Sequence, residues 1–557
     1  MSRPEPFKAA VVQTLAVLGD LDANLELVTR YAEEAAGEGA RLVVFPECMN
    51  SGYLFDDADH CRSTAEPVDG RYVATLKQLS AQHGVYIASG MTELGDDGLI
   101  YNSLAMTSPG GQLIGHYQKQ FLATHDQNWF EVGTRGCPVI QTDLGRIGLL
   151  ICFDGRIPEI ARVLTLAGAD VIVDAANFFE LDQADQWLPA RAYENGVWFV
   201  ASTKSGVERS IYYPGGSQIV DPNGVVRAVV GRDTHGIGYA MVDPAAARSK
   251  AWQNGGDRVE DRRPDRYSIL QSSFEDAPVA AYLRVPLVPE SVTVTSAAVQ
   301  SHSLGTPESL DAALAMVEHA ARLGVRLLVL PQAFAVGVPT PTLEQVQAIA
   351  GEQARARSAV ASICSRYGAM VVLPEVFGGD TGVRHVATVI GTDGEPLGQQ
   401  AQVHPEPTSG EADPVADLVI IQTPLCRLGV ILGYDGMFPE SSRTLALLGA
   451  DIIAWPCAWD DPRQRQFLTV TKAEDNRCFL IAANRTDTGF PGGSVVIGPE
   501  GLPHWDVDKV LPPEQRHGAV VPGFLNLALS RQKSIIPKVN VLRNRLVHTY
   551  GPLTKAG

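Results

Sequence analysis

Three side chains with nucleophilic or acid–base capacity each lie at or just after the end of a predicted strand in the first half of this 557-residue chain. Cys152 ends the run IGLLI, Glu47 follows LVVFP, and Lys119 lies within GHYQKQFL. A thiol attacks only as the thiolate, and a partly desolvated carboxylate has the raised pKa of a general base. Taken singly, Cys152 is better explained as a packed cysteine, Glu47 as a strand-end glutamate and Lys119 as a solvated surface lysine.

An internal repeat distinguishes a chemical role of these residues from a structural one. Residues 145–173 match residues 426–454 almost position by position, and YPGGSQIVDPNG (213–224) matches FPGGSVVIGPEG (490–501). Within this correspondence the three reactive residues become neutral together, whereas their neighbours recur. The replaced pairs are Glu47/Gln332, Lys119/Gln402 and Cys152/Gly433, and the recurring pairs are Asp154/Asp435, Pro158/Pro439, Glu159/Glu440 and Arg162/Arg443. A coordinated loss favours one working and one inactive site.

The elements that must position these residues alternate between strands and helices. Short β-branched runs predict strands at 7–13, 41–45, 85–89, 101–107, 112–117, 147–152, 171–173, 197–201, 217–220 and 239–242. Helical spacing of apolar residues predicts helices at 22–36, 72–83, 158–167 and 183–195. The pattern predicts an α/β domain with mixed strand direction and outer helices. The repeat predicts two such domains, at 1–270 and 291–557, joined by a linker at 271–290 that lies within a polar, proline- and glycine-rich stretch.

Composition excludes several classes of protein. The formal charge is −18, from 45 basic and 63 acidic residues, which argues against nucleic acid as the main partner. The apolar stretches are too short for a membrane helix and the start lacks a signal peptide, so we expect a cytoplasmic protein without a membrane partner. The eight cysteines lack CxxC spacing, and the HExxH, GxxxxGK[ST] and GxGxxG motifs are missing. We therefore expect reduced thiols, no metal and no cofactor.

Several motifs together resemble the nitrilase superfamily of carbon–nitrogen hydrolases. They are VVFPE (43–47), YQKQFL (117–122), GLLICFDGRIPEIAR (148–162), RAYENG (191–196) and DRRPDRY (261–267). The resemblance implies an α-β-β-α sandwich with a Glu–Lys–Cys triad, here Glu47, Lys119 and Cys152. It also implies that the second copy, its triad lost, packs against the first as an internal pseudo-dimer; further self-association stays open.

The resemblance implies a pocket as well, with some departures from the family pattern. We expect Tyr53, Asp126, Phe153 and Phe178 to line it, with the Phe153 N–H as an oxyanion donor. Phe121 stands where the family usually has histidine. Asp126 stands where the family has a supporting glutamate, and DAANF (174–178) replaces the usual proline-containing stretch.

The expected activity is cysteine-dependent hydrolysis of a non-peptide C–N bond in a small linear amide or N-carbamoyl compound. Phe-Asp follows Cys152, whereas nitrilases proper usually carry Trp-Glu there, which favours an amide over a nitrile. Three alternatives stay open: a nitrilase, an amide-forming acyl transferase, and a non-catalytic binding or scaffold protein.

Overall fold

The computed structural model describes residues 4–253, 255–287, 293–379, 382–407, 416–487, 489–506 and 518–555. The chain divides into two compact units. The first comprises Met1–Lys250, Ile536–Val539 and Leu546–Leu553, and the second comprises Ala251–Ile535, Asn540–Arg545 and Thr554–Gly557. The main boundary between the compact units therefore lies after residue 250. The domain limits of 1–270, 271–290 and 291–557 stay a prediction about the duplicated sequence.

Strands and helices alternate along the first unit. Its strands are β1 (Phe7–Gln13), β2 (Leu42–Val44), β3 (Tyr86–Leu94), β4 (Ile100–Thr107), β5 (Leu113–Gln118), β6 (Val139–Thr142), β7 (Gly145–Leu150), β8 (Val171–Ala176), β9 (Trp198–Thr203), β10 (Ser205–Glu208), β11 (Ile211–Pro214), β12 (Gln218–Val220), β13 (Val226–Val229) and β14 (Gly236–Val242). Its helices are α1 (Leu21–Gly37), α2 (Ala58–Thr64), α3 (Arg71–His83), α4 (Pro158–Leu166) and α5 (Leu188–Asn195).

Two six-stranded sheets form the centre of the first unit. Their strand orders are β14-β1-β2-β3-β4-β5 and β13-β12-β9-β8-β7-β6. The middle strands β1, β2 and β3 run parallel, as do β7, β8 and β9, and the outer strands pair antiparallel. This mixed direction agrees with the prediction. The carboxyl ends of parallel neighbours meet at one edge, which is where α/β proteins place reactive groups.

Helices cover the sheets on their outer faces. Apolar side chains of α1 and α3, such as Val28 and Leu76, pack with Val43 of β2 and Ile87 of β3. Helices α4 and α5 pack on β7 and β9 of the other sheet. The two sheets face each other, since a Cβ added at Gly115 of β5 would contact Ile140 and Leu149 of the opposite sheet. The first unit is therefore the expected α-β-β-α sandwich.

The second unit repeats this arrangement. Its strands are β15 (Thr293–Gln300), β16 (Leu327–Val329), β17 (Met370–Gly379), β18 (Gly382–Ile390), β19 (Pro396–Ala401), β20 (Ile420–Gln422), β21 (Arg427–Val430), β22 (Ile452–Pro456), β23 (Phe479–Ala483), β24 (Val495–Ile497), β25 (Pro503–Asp506) and β26 (Ala519–Asn526). The short strands β27 (Ser534–Ile536) and β28 (Val539–Asn540) each have residues assigned to both units. Its helices are α6 (Pro278–Tyr282), α7 (Pro307–Arg322), α8 (Leu343–Ala348), α9 (Ala350–Tyr367), α10 (Pro439–Leu447), α11 (Thr469–Glu474) and α12 (Leu527–Arg531).

Two six-stranded sheets again form the centre, in the orders β19-β18-β17-β16-β15-β26 and β20-β21-β22-β23-β24-β25. One buried apolar cluster joins them, with Val329 and Val372 from one sheet and Val430 and Ile481 from the other. The fold class, two tandem α/β units of mixed sheets, is confirmed.

Two short segments from the end of the chain belong to the first unit. Thr124 Oγ1 donates to the main-chain oxygen of Pro537 at 2.6 Å, and Lys538 Nζ donates to Asn128 Oδ1 at 2.7 Å. Farther along, Thr549 Oγ1 donates to Gln120 Oε1 at 3.2 Å. These contacts hold the segment that follows β5. Across the described ranges, no helix combines the length and apolar composition that a membrane crossing requires.

Candidate active site

Glu47 and Lys119 form a buried ion pair at the ends of β2 and β5. Lys119 Nζ lies 2.8 Å from Glu47 Oε1 and 2.8 Å from Asp126 Oδ2, and all three side chains are almost fully buried. Burial by itself disfavours the ammonium. The carboxylates of Asp126 and Glu47 outweigh it and raise the pKa of Lys119 well above its ordinary value. Lys119 is therefore held as a cation.

The two oxygens of Glu47 have different surroundings. Oε1 accepts from Lys119 and, at 2.5 Å, from Asn102 Nδ2 of β4. Oε2 is buried and has no hydrogen-bond partner in the described part of the chain. Burial raises the pKa of Glu47, an effect that the Lys119 ammonium opposes. A buried, unpaired carboxylate oxygen is costly unless it receives a proton or a donor. Glu47 is therefore suited to proton transfer.

Asp126 contacts Lys119 through Oδ2, and other protein groups fix both of its oxygens. Oδ2 also accepts from the Ala123 N–H at 2.8 Å, and Oδ1 accepts from the Tyr53 hydroxyl at 2.8 Å. The polar atoms of Asp126 and Tyr53 thus contact protein groups, and a place for these residues in the substrate pocket stays a prediction. Their contacts position the lysine.

Cys152 lies on a sharp turn after β7. The strand ends at Leu150, and Cys152 begins a short 3₁₀ turn with a φ of +51°. The sequence predicted a strand through residue 152, but a left-handed φ cannot continue a strand and costs a non-glycine residue about 1–2 kcal/mol. The Cys152 N–H donates to Asp174 Oδ1 of β8 at 2.6 Å. Asp174 therefore fixes the turn that presents the thiol.

Two further side chains secure this turn. Asp154 accepts from the Phe121 N–H at 2.8 Å, which ties the turn to the lysine segment, and burial raises the pKa of Asp154 to about 6. Arg191 of α5 donates to the main-chain oxygens of Gly155 and Arg156, and it pairs with Glu194 at 3.0 Å. The segment after β5 and helix α5 therefore both hold this turn in place.

The Cys152 thiol is buried, and several groups act on its protonation. Burial raises the pKa of Cys152 well above its ordinary value, and the charge of Glu47 raises it further, whereas Lys119 and the Asn177 N–H lower it. The thiol is therefore neutral at rest and needs a base before it can attack. Glu47 and Lys119 both act electrostatically on this sulfur, so the structure brings the three predicted residues into one neighbourhood.

The two predicted aromatic residues are both buried next to this turn. The Phe153 ring stacks on Phe121 at 5.7 Å between centroids and meets the edge of Trp187 at 6.3 Å. Phe178 follows β8, and its N–H donates to Thr203 Oγ1 at 2.8 Å. Because Asp174 already accepts from the Cys152 N–H, Phe153 supplies the next main-chain donor on the turn.

The second unit places the replacement residues in the same geometry. The Glu47 N–H donates to the Ala176 oxygen at 3.3 Å, and its counterpart Gln332 donates to the Cys457 oxygen at 3.1 Å. Gly433 has a φ of +52°, close to the value of Cys152. The turn is therefore kept although the thiol is not.

Sequence reasoning missed Asn102, Asp174 and Asn177. The internal repeat carried a signal for two of them, because Asp174 corresponds to Trp455 and Asn102 to His385. The second correspondence follows from a shared main-chain bond: Lys119 donates to the Asn102 oxygen at 2.8 Å, and Gln402 donates to the His385 oxygen at 3.0 Å. Extending the comparison beyond the triad would have singled out both residues.

Comparison with known proteins gives concordant matches. The family model described as carbon–nitrogen hydrolase matches residues 8–251 and again residues 293–504. A nitrilase from Pyrococcus abyssi is 33% identical over 261 residues, which are 47% of this chain and 98% of that protein. An (R)-stereoselective amidase from Pseudomonas sp. is 32% identical over 260 residues, 46% of this chain and 92% of that protein. The crystal structure of an amidase from Nesterenkonia sp. is 22% identical, covers 44% of this chain and 94% of its own, and has a TM-score of 0.39.

Proposed function

Because the chain belongs to the carbon–nitrogen hydrolase family, we propose that it hydrolyses a small linear amide or N-carbamoyl compound through a thioester on Cys152. The observation that carries this proposal is the buried pair of Glu47 and Lys119 beside the Cys152 turn. The second unit has neutral residues at all three positions, and we propose that it has no hydrolytic activity.

The first step is proton transfer from Cys152 to Glu47. Burial raises the pKa of the Cys152 thiol and keeps it neutral at rest, whereas the Lys119 ammonium opposes the effect of burial on Glu47 and favours its carboxylate. Among the described residues, Oε2 of this carboxylate has no hydrogen-bond partner. Glu47 takes the proton as the sulfur attacks the carbonyl carbon. The S–C bond forms, and the π electron pair of the carbonyl moves to its oxygen.

Lys119 and the Phe153 N–H stabilise the resulting oxyanion. Each such donor contributes about 3–4 kcal/mol. The second unit supports this assignment, because the corresponding Tyr434 N–H donates to a carboxylate oxygen of Glu406 at 3.1 Å. A main-chain N–H at this position of the turn is thus well placed to hold a negatively charged oxygen.

The cycle closes in two further steps. The C–N bond breaks, and Glu47 returns its proton to the departing ammonia or amine. Glu47 then removes a proton from water, which attacks the thioester. The carboxylic or carbamic acid leaves, and the sulfur regains its proton. Only the substrate and water are consumed.

Two considerations support the proposed substrate class. The relatives include proteins named as nitrilases and as amidases. Phe153 and Asp154 follow the cysteine here, which favours an amide over a nitrile. All eight cysteines are free thiols, which suits our proposal of a cytoplasmic setting.

Intact-protein mass spectrometry after incubation with amides, N-carbamoyl compounds and nitriles tests the proposal. An acyl adduct on Cys152 together with released ammonia or amine would support it and identify the acyl group. Cys152→Ala should abolish both signals, whereas Cys364→Ala, which removes a buried thiol of α9 in the second unit, should keep them. Full turnover by Cys152→Ala would contradict the mechanism.

Transfer of the acyl group to an added amine would identify the transferase alternative. An unmodified Cys152 across the panel would favour the binding or scaffold alternative.

A further inference from the structure

The second unit contains a set of hydrogen-bond donors that converge on one carboxylate oxygen. Glu406 Oε1 accepts from Gln332 Nε2 at 3.1 Å, from Gln402 Nε2 at 3.2 Å and from the Tyr434 N–H at 3.1 Å. We propose that the second unit holds a carboxylate-binding site and that the chain's own Glu406 occupies it.

The donors come from three separate parts of the second unit. Gln332 follows β16, Gln402 follows β19, and Tyr434 lies in the 3₁₀ turn Gly433–Met437. All three residues are buried, at 2%, 3% and 6% exposure. Buried donors that converge from separate elements are preorganised for an anion, because their alignment costs nothing when the anion binds. The fold itself therefore builds this site.

A side chain at position 433 would compete for space with Glu406 in its observed position. A Cβ added at Gly433 would lie 2.6 Å from Glu406 Oε1 and 2.6 Å from Gln332 Nε2, closer than real Cβ contacts. The corresponding residues of the first unit are Cys152 and, four residues after Lys119, Ala123. The first unit thus combines the Cys152 thiol with the small residue Ala123. The second unit combines the Glu406 carboxylate with Gly433, which has no side chain. Glu406 thus takes the volume that an acyl group would need.

The remaining space limits the ligand to a small one. A residual cavity of about 50 Å³ adjoins Glu406, with Trp455, Cys457 and Trp459 in its lining. The two indole rings meet at 5.2 Å between centroids and close one side. Removal of the Glu406 side chain would open a pocket for a short monocarboxylate such as acetate, with its oxygen on the same three donors.

Chemical rescue of Glu406→Ala in the full-length protein tests the proposal. We expect sodium acetate to raise the melting temperature of this variant by about 2 °C or more, relative to sodium chloride at equal ionic strength. Acetamide, which has a similar shape but no charge, should give a smaller rise. The unmodified protein should show no acetate-specific rise because its site is filled.

Two matched variants complete the design. Glu406→Gln keeps an oxygen on the donors and should not respond to acetate. Glu395→Ala removes an exposed carboxylate in the loop before β19 and should behave as the unmodified protein.

An acetate response that is absent from Glu406→Ala, or equal in all variants, would overturn the proposal. If Glu406→Ala does not fold alone, refolding yield with and without acetate decides: a restored yield supports the site, and an unchanged yield refutes it. Turnover at Cys152 is not the readout, so this outcome is independent of the proposed hydrolase activity.

Discussion

At the residue scale, the protonation of Glu47 links the geometry of the first unit to its chemistry. One oxygen is bound by Lys119 and Asn102, and the other is buried without a partner in the described residues. Burial raises the pKa of this carboxyl above its ordinary 4.5. In the proposed mechanism the active form is the carboxylate, so protonation at low pH removes the base.

We therefore expect kcat/KM to fall as the pH drops through a value above 4.5. Glu47→Gln should lower kcat/KM by roughly 10²–10⁴-fold and remove this acidic limb, because the amide cannot accept the thiol proton. Rate profiles between pH 4 and pH 9 measure both effects. Glu26→Gln, on the exposed face of α1, should leave the profile unchanged. If kcat/KM of Glu47→Gln falls at the same acidic pH as that of the unmodified protein, the base is another residue.

Asp174 is a positioning residue in this scheme, because it acts through the Cys152 main chain. Its Oδ1 accepts the Cys152 N–H at 2.6 Å, and burial raises its own pKa well above the ordinary value. Without this acceptor, the buried N–H of Cys152 loses its hydrogen bond, which costs about 1–3 kcal/mol. The strained φ of Cys152 then lacks this support.

We expect Asp174→Ala to lower kcat about tenfold or more with a smaller change in KM, since the thiol is misplaced but the pocket remains. Asp174→Asn keeps an acceptor oxygen and should retain most of the activity. Steady-state kinetics and the rate of Cys152 acylation measure the difference. Equal losses in both variants would point to the charge of Asp174 instead of its hydrogen bond.

At the element scale, the turn that follows β7 in the first unit and β21 in the second is the feature that both units share. Cys152 and Gly433 have φ values of +51° and +52°, and each turn leads into a helix that begins with proline. Glycine tolerates this φ without strain. The second unit thus keeps the turn with a residue that suits it.

We expect Gly433→Ala to destabilise the protein by about 1–3 kcal/mol, because its Cβ would contact Gln332 and Glu406 at 2.6–2.7 Å. Gly368→Ala is the matched control: its φ is +64°, but no atom lies within 4 Å of the added Cβ. Denaturant unfolding of both variants separates the steric cost from the backbone cost. Equal losses would show that the backbone alone limits position 433.

Periodicity predicted most elements of the first unit, and it failed where tertiary contacts decide. Strands β1, β4, β5, β8, β9 and β12 and helices α1, α3 and α4 lie where the apolar spacing placed them. The segment at Gln183–Trp187 is a π-helical turn before α5, and the strand before Cys152 stops two residues early. Both depend on hydrogen bonds to distant residues, which local spacing does not contain.

At the scale of the whole molecule, duplication made a candidate site predictable from a single sequence. Each triad residue alone had an ordinary structural explanation, and the comparison of the two halves favoured the chemical one. Asn102 escaped notice because it lies within a strand, 55 residues from Glu47, where a polar residue gives no local signal. The occupant of the second site was also unpredictable, since Glu406 meets its donors only through the fold.

The two late segments of the first unit give the chain an order of assembly. The loop that carries Lys119 and Asp126 is contacted by residues 537, 538 and 549, which the ribosome adds only after nearly all of the second unit. Synthesis that stops before residue 536 therefore yields a first unit without these contacts. In the proposed mechanism Lys119 acts from this loop, so we expect a chain truncated before residue 536 to hydrolyse an amide more slowly than the full-length chain, as steady-state rates of the two proteins would measure.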